Sequence, residues 1–281
     1  MSRPRQLTPG IALFPARTPT LPPATHTNSY ALGTRQVLLV EPATPYEDEQ
    51  GDWLAWARAL PTAGRCPIAI FVTHHHLDHV GGARVLAREL ALPLWAHAET
   101  AVRMDVPVTR RLVDDEAIVL DGPASERWTV LHTPGHAPGH LCLYQKDAGA
   151  IVVGDMIASE GTILIEPGDG DMRVYLEQLG RLASLDARVA LPAHGEPIDA
   201  PTAVFRGFIA HRRMREERVL AALVGHGNAG ATSQTLVANA YDDVPISVWP
   251  IAVLSIEAHL AKLVDEGRVR TVDGARYIAS A

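Results

Sequence analysis

Thr73-His74-His75-His76-Leu77-Asp78-His79 is the stretch on which the fold turns, because three imidazoles and a carboxylate crowd into six positions with the spacing His-x-His-x-Asp-His. Nitrogen and oxygen donors in such a mixture suit borderline divalent metals, which prefer them to either donor type alone. The run just before it, residues 67–72, is continuously apolar and predicts a buried strand that delivers the cluster to a loop. Gly81 and Gly82 follow, and their lack of side chains lets another piece of backbone pass close by. Beyond them Val80, Ala83, Ala87 and Leu90 recur at helical spacing.

Three further motifs lie downstream, each after a short apolar run: Thr133-Pro134-Gly135-His136, Val153-Gly154-Asp155-Met156 and Pro192-Ala193-His194-Gly195. Taken in this order, the four motifs resemble those of the metallo-β-lactamase superfamily, in particular its glyoxalase II-like branch. The resemblance implies an α/β fold, an αββα sandwich in which two sheets pack together and strand-end loops gather the ligands. It further implies that His74, His76 and His136 hold one metal, that Asp78, His79 and His194 hold a second, and that Asp155 bridges the two. Spacing alone does not assign them. His75, His132 and His140 stand close enough to compete, and His140 is expected to support a ligand or touch substrate. Cys142 is expected to be a buried, inert thiol.

The first forty residues alternate short apolar runs (11–14, 30–32, 37–40) with Pro, Thr and Gly, the pattern of strands joined by turns. A helix is expected over 53–60, strands over 118–120, 128–131, 141–144 and 151–153, a helix around 176–182, and a short strand over 189–191. After Pro201 the texture changes. A long helix over 203–224, a segment over 232–240, and a third helix with Val253, Ile256, Leu260, Leu263 and Val264 on one face precede a tail with an Asp273-Gly274 hairpin signal. Three helices and a hairpin predict a small C-terminal winged-helix domain over 201–281, behind a catalytic domain over 1–200.

The chain has 281 residues, 47% hydrophobic and 20% charged, and a net charge of −7. Residues 1–202 carry 16 basic and 24 acidic side chains, residues 203–281 carry 9 and 8. An acidic main domain is a poor global footprint for nucleic acid. The one local basic run is Arg212, Arg213, Arg215 and Arg218, of which Arg212 and Arg213 are the candidate phosphate contacts, though Glu216 and Glu217 stand among them. The N-terminal segment lacks a secretory apolar stretch, no apolar run approaches the ~20 residues of a membrane span, and two cysteines are too few for a disulfide framework; a cytoplasmic protein is expected.

Two cations sharing a water lower its pKa towards neutrality, which provides a nucleophile without a serine or cysteine. The expectation is therefore a hydrolase using a hydroxide bridging two zinc ions, with iron or manganese as alternatives, and with Asp78 orienting that hydroxide or taking its proton. The diiron oxidoreductases of the same superfamily carry a pattern resembling His-x-Glu-x-Asp here, and since the 73–79 cluster has no glutamate and has His79 beside Asp78, the resemblance favours zinc over iron. More of the chain resembles the beta-lactamase-like protein 2 group within the superfamily: Thr27-Asn28-Ser29-Tyr30, Glu160-Gly161-Thr162 and the winged-helix tail. That resemblance leaves two substrate classes open: a small acyl compound (thioester, ester or lactone) or single-stranded RNA. An iron-dependent sulfur dioxygenase and a metal-sensing DNA-binding regulator are the expectations from other classes, and a homodimer is possible. Where relatives carry Ile-Asp-Thr-Gly, this chain has Val40-Glu41-Pro42-Ala43, so a supporting acid falls to Glu41.

Overall fold

The computed structural model describes residues 3–124 and 126–280. Its contacts divide the chain into two units. The first runs to Thr133 and adds Pro138–Thr162 and Asp186–Pro201; the second gathers Pro134–Ala137, Ile163–Leu185 and everything from Thr202 on. The division therefore differs from a single cut after residue 200. Two inner segments join the C-terminal unit, because the helix at Met172–Ala183 packs against helices of that unit.

In the first unit, β1 (Arg5–Thr8), β2 (Ile11–Arg17), β3 (His26–Leu32), β4 (Gln36–Val40), β5 (Cys66–Phe71), β6 (Leu94–His97) and β7 (Arg110–Leu112) form one sheet in chain order. The first four strands pair antiparallel and the last four parallel. Each parallel pair needs a crossover. These are α1 (Glu47–Ala59), the pair α2 (Leu77–Val80) and α3 (Ala83–Leu90), and α4 (Ala98–Ala101). The second sheet consists of β8 (Ala117–Leu120), β9 (Glu126–His132), β10 (Leu141–Gln145), β11 (Ala150–Gly154), β12 (Val189–Pro192) and β13 (Ile198–Asp199), with only β11 and β12 parallel.

Alternation along the strands decides which way each side chain faces. Leu13, Tyr30, Leu38, Val40 and Phe71 point into the sandwich and meet Ile118, Trp128, Val130, Leu143 and Val152 of the other sheet. Their sequence neighbours Ala12, Phe14, Ala31, Leu39, Ile70 and Val72 point the other way, onto Trp53, Trp56 and Leu60 from the α1 region and Leu86 of α3. Trp53 is fully buried and crosses Trp56 edge-on at 5.6 Å. Burying the first sheet on both faces is what allows its parallel half to be a continuous apolar run, as 67–72 is.

The second unit contains α5 (Met172–Ala183), α6 (Thr202–Gly225), α7 (Ser233–Ala240), α8 (Trp249–Asp265) and the hairpin of β14 (Val269–Val272) with β15 (Arg276–Ala279). Thr232 caps α7 by accepting the N–H of Thr235 at 3.2 Å. Asp273 and Gly274 both have positive φ, +57° and +71°, the turn that a two-residue hairpin of this twist requires. Helix, helix, helix and wing enclose a core of Val219, Leu223, Leu236, Ala240, Ile256, Leu260, Leu263 and Val269. The segment Ile246–Asp265 is, against the expectation from the sequence, long and apolar enough by composition to cross a membrane. Its helix nevertheless spends Ala252, Ile256, Leu260 and Leu263 on this core.

Candidate metal centre

One edge of the first unit collects the motifs. The C-terminal ends of β5, β11 and β12 carry the 73–79 cluster, Asp155 and His194, and the starts of β3 and β10 bring His26, Asn28 and His140 alongside. After β5 the chain turns once: α2 is a single helical turn whose amides at His79 and Val80 donate to His76 O at 2.9 and 3.1 Å. That turn places Asp78 and His79 beside His74. A Cβ on Gly81 or Gly82 would meet Pro45 N at 2.9 Å or Thr44 O at 2.8 Å, so the two glycines do admit a close backbone approach.

His74, His79 and Asp155 offer donor atoms within 4.8 Å of one another, as do Asp78, His79 and His194. His79 Nε2 lies 3.5 Å from Asp155 Oδ1 and 3.9 Å from Asp78 Oδ2; His194 Nε2 lies 3.3 Å from Asp155 Oδ1 and 3.6 Å from Asp78 Oδ2. His74 Nε2 and His76 Nδ1 are 3.0 Å apart. His79 is fully buried and neither ring nitrogen has a hydrogen-bond partner among the described residues. A buried imidazole left this way costs about 1–3 kcal/mol, a penalty that a coordinated cation removes. His136 belongs to the second unit, where its Nδ1 donates to Leu164 O at 2.8 Å.

Burial acts against the charged form of His79, but Asp155, Asp78 and Glu41 outweigh it and raise its pKa well above the ordinary imidazole value. His194 is raised in the same way: burial opposes, Asp155 prevails. Asp155, whose burial disfavours its charge, is nonetheless held well below the usual carboxylate range by His194 and His79. Two carboxylates facing imidazoles offer a cation both oxygen and nitrogen donors.

The supporting contacts fix how each donor points. His194 Nδ1 donates to His26 O at 3.0 Å, leaving Nε2 as the lone-pair nitrogen towards the aspartates. The backbone N–H of Asp155 donates to His140 Nε2 at 3.1 Å, so His140 carries its proton on Nδ1 and gives it to Thr133 Oγ1 at 2.8 Å. His140 is fully buried in this role. His140 thus stands behind Asp155, holding its backbone N–H. Gly154 must be a glycine here, since a Cβ would stand 2.5 Å from His140 Nε2. Thr133 continues to Cys142 Sγ at 3.3 Å, and the buried thiol reaches Val153 O at 3.7 Å. His132 is turned aside, its Nε2 donating to Pro138 O and its ring stacked on His97 at 4.1 Å. His75 is half-buried, edge-on to His76 with ring centres 4.9 Å apart.

Other supporting contacts come from residues 27–30, whose partners the sequence did not reveal, and from Glu41, expected from the sequence as a supporting acid. Asn28 Nδ2 donates to Pro192 O and Gly195 O at 2.9 and 2.7 Å, and Tyr30 Oη donates to Pro192 O at 2.8 Å, so the 27–30 motif clamps the loop that carries His194. Ser29 Oγ donates to Glu41 O and accepts from Trp53 Nε1. Glu41, 2% exposed with φ +61°, accepts the amide of Thr73 at 3.2 Å and faces His79 Nδ1 at 3.5 Å. The motif was visible; its partners, some 160 residues away, carry no local signal.

The basic run on α6 does not form a phosphate-gripping face as expected. Arg212 is 2% exposed, lies over the Tyr175 ring and donates to Ile163 O. Arg215 is buried and chelated by Asp243, and Arg218 pairs with Asp242 and Asp243. Helical periodicity explains the correction: 212 and 215 share the inward face with Val219 and Leu223, and Arg213 alone of the two candidates is exposed.

Residues 22–194 match the model of the metallo-beta-lactamase superfamily, and residues 232–276 that of a beta-lactamase associated winged helix domain. The chain is 29% identical over 87% of its length to a beta-lactamase-like protein 2 homolog of Drosophila melanogaster, covering 84% of that protein. It is 29% identical over 79% of its length to an atrochrysone carboxyl ACP thioesterase of Aspergillus fumigatus, covering 70% of it. Among solved structures, a metallo-beta-lactamase family protein from Thermus thermophilus superposes with a TM-score of 0.79 at 26% identity, over 98% of this chain and 100% of that one.

Proposed function

Since the chain belongs to the metallo-β-lactamase superfamily and with it to the metal-dependent hydrolases, we propose that it cleaves a carboxylic-acid derivative (a thioester, ester or lactone) at a centre of two divalent cations. Zinc suits the donor set best, with iron or manganese as alternatives. The observation that carries this is the convergence of His74, His79, Asp155, Asp78 and His194 around the buried, unpartnered nitrogens of His79. Of the residues in the first unit, His74 and His76 would help to hold one cation and Asp78, His79 and His194 the other, with Asp155 within reach of both groups. When bound, the cations supply a Lewis acid for the substrate oxygen and make water acidic enough to attack at neutral pH.

The chain's own residues prepare that chemistry. His26 O and His140 fix the tautomer of His194 and the backbone of Asp155. Asp78, whose side chain is 17% exposed against 9% for Asp155, is the carboxylate more open to solvent and would orient the attacking water or take its proton. An acyl substrate needs no basic tract, and Arg212 and Arg215 are buried while Arg218 is paired. The thioesterase among the relatives adds support. The test is turnover of an acyl thioester, a lactone and a single-stranded RNA by the metal-loaded protein and its Asp78→Ala variant. Thioester or lactone hydrolysis lost in the variant is expected; RNA cleavage alone, lost in the variant, would replace this function with a nuclease.

A further inference from the structure

Beside His194 lies a cavity of about 410 Å³, within the ~300–1,000 Å³ typical of small-molecule pockets, lined by Arg3, Thr25, His26, Asn28, Glu160 and Gly195 among others. Two of its lining residues adjoin His194. His26 O accepts the hydrogen bond of His194 Nδ1–H, and Gly195 follows His194 in the chain. Glu160 rests directly on that glycine: a Cβ at Gly195 would stand 2.8 Å from Glu160 N and 2.9 Å from Glu160 Cβ. The loop is pinned there by Ser159, whose N–H reaches His194 O at 3.2 Å and whose hydroxyl reaches Glu196 O at 2.7 Å.

Most polar groups of the cavity are already engaged. Arg3 is chelated by Glu49 and also donates to Pro15 O, so its charge is neutralised. Asn28 Nδ2 clamps Pro192 and Gly195, and Thr25 Oγ1 bonds His26 Nδ1 at 2.7 Å. Two groups have no hydrogen bond or ion pair among the described residues: the Glu160 carboxylate and His26 Nε2. One accepts hydrogen bonds only, the other accepts or donates according to its tautomer. An anionic ligand would meet an unneutralised carboxylate, and an acyl chain would leave both groups dry. A neutral chain of amides satisfies both.

Resting on the acyl-hydrolase function above, we infer that this cavity receives the leaving-group side of a thioester, an amide-bearing arm of the pantetheine type, with Glu160 accepting an amide N–H and His26 Nε2 meeting the second amide. The Glu160-Gly161-Thr162 motif thereby acquires a role in selecting the thiol, separate from the ligands that act on the acyl carbon.

Two measurements on the zinc-loaded protein test this. The first compares kcat/KM for S-acetylpantetheine with that for ethyl thioacetate, which has no arm. Glu160→Ala is expected to lower the ratio about tenfold, His26→Leu to lower it further in the double variant, and Glu160→Gln, which keeps an acceptor oxygen, to retain most of it. The second is calorimetric binding of S-methylpantetheine, a thioether that cannot be hydrolysed, expected to weaken by the same factor in Glu160→Ala. An unchanged ratio, or thioether binding that survives both substitutions, overturns the inference. Glu160-dependent thioether binding by a protein that hydrolyses no thioester would keep the site and overturn the proposed reaction instead.

Discussion

Each unit buries acidic groups, and each treats them differently. In the second, Glu216 is surrounded by cations that the chain supplies: Lys262 Nζ at 2.8 Å from Oε2 and Arg268 Nη1 at 3.2 Å from Oε1. Burial works against its charge, yet His259 and Lys262 pull its pKa down to about 2. In the first, Asp78 and Asp155 face the imidazoles of His79 and His194 instead. A buried charge paired with lysine and arginine is a finished piece of architecture. Carboxylates gathered around imidazoles, whose neutral nitrogens are electron-pair donors, make a site completed by a cation.

The contrast breaks most severely if Asp155 is expendable. Asp155→Asn is expected to lower turnover by ~10³-fold or more, since residues that act as a unit fail together, and to cost metal measurable by mass spectrometry. Retained activity at full metal content would end the distinction. A second test uses pH. With His79 and His194 raised by the carboxylates, protons compete with the cation for the same nitrogens, so metal affinity is expected to fall by about one to two decades per pH unit as the solution is acidified. Competition against a calibrated chelator reads this slope, and a flat profile would contradict it.

Glu41→Gln sharpens the comparison from the other side. The carboxylate touches the Thr73 amide and faces the outer nitrogen of His79, and its loss is expected to weaken metal binding ~10–100-fold. The smallest effect belongs to the finished cluster. Glu216→Gln is expected to destabilise the second unit by about 2 kcal/mol at pH 7, less than a fully buried pair because solvent screens it in part, with metal content untouched. Its pKa is lowered on folding from 4.5 to about 2, so that stability is present above pH 4.5 and disappears as pH falls towards 2. Denaturant titrations of variant and wild type should converge over that interval.

Much of this was legible before any coordinates. The apolar runs at 67–72 and 151–153 became β5 and β11 within a residue or two, because burial on both faces writes itself into sequence as continuity, and 118–120 became β8 although Val119 is exposed. The Asp273-Gly274 turn and the apolar face of α8 were equally plain. Short edge elements such as β1 and β7 escaped, since three or four half-exposed residues carry no period. At the site, the cluster at 74–79, Asp155 and His194 could be marked from their motifs, whereas the tie from Asn28 to Pro192 and Gly195 and the left-handed Glu41 could not. Such contacts join residues far apart in the chain, and a non-glycine at φ +61° is held there by the fold around it. The arginines of α6 show the converse: composition marked a basic run, and the helix turned two of its members inward.

The central claim, that one edge of the first unit is a two-cation centre in this register, is tested most directly by counting metal per chain in the wild type, His79→Ala and His75→Ala proteins. Two equivalents, one and two are expected in that order. A wild type that holds a single equivalent, or a His75→Ala protein that loses as much metal as His79→Ala, would contradict it.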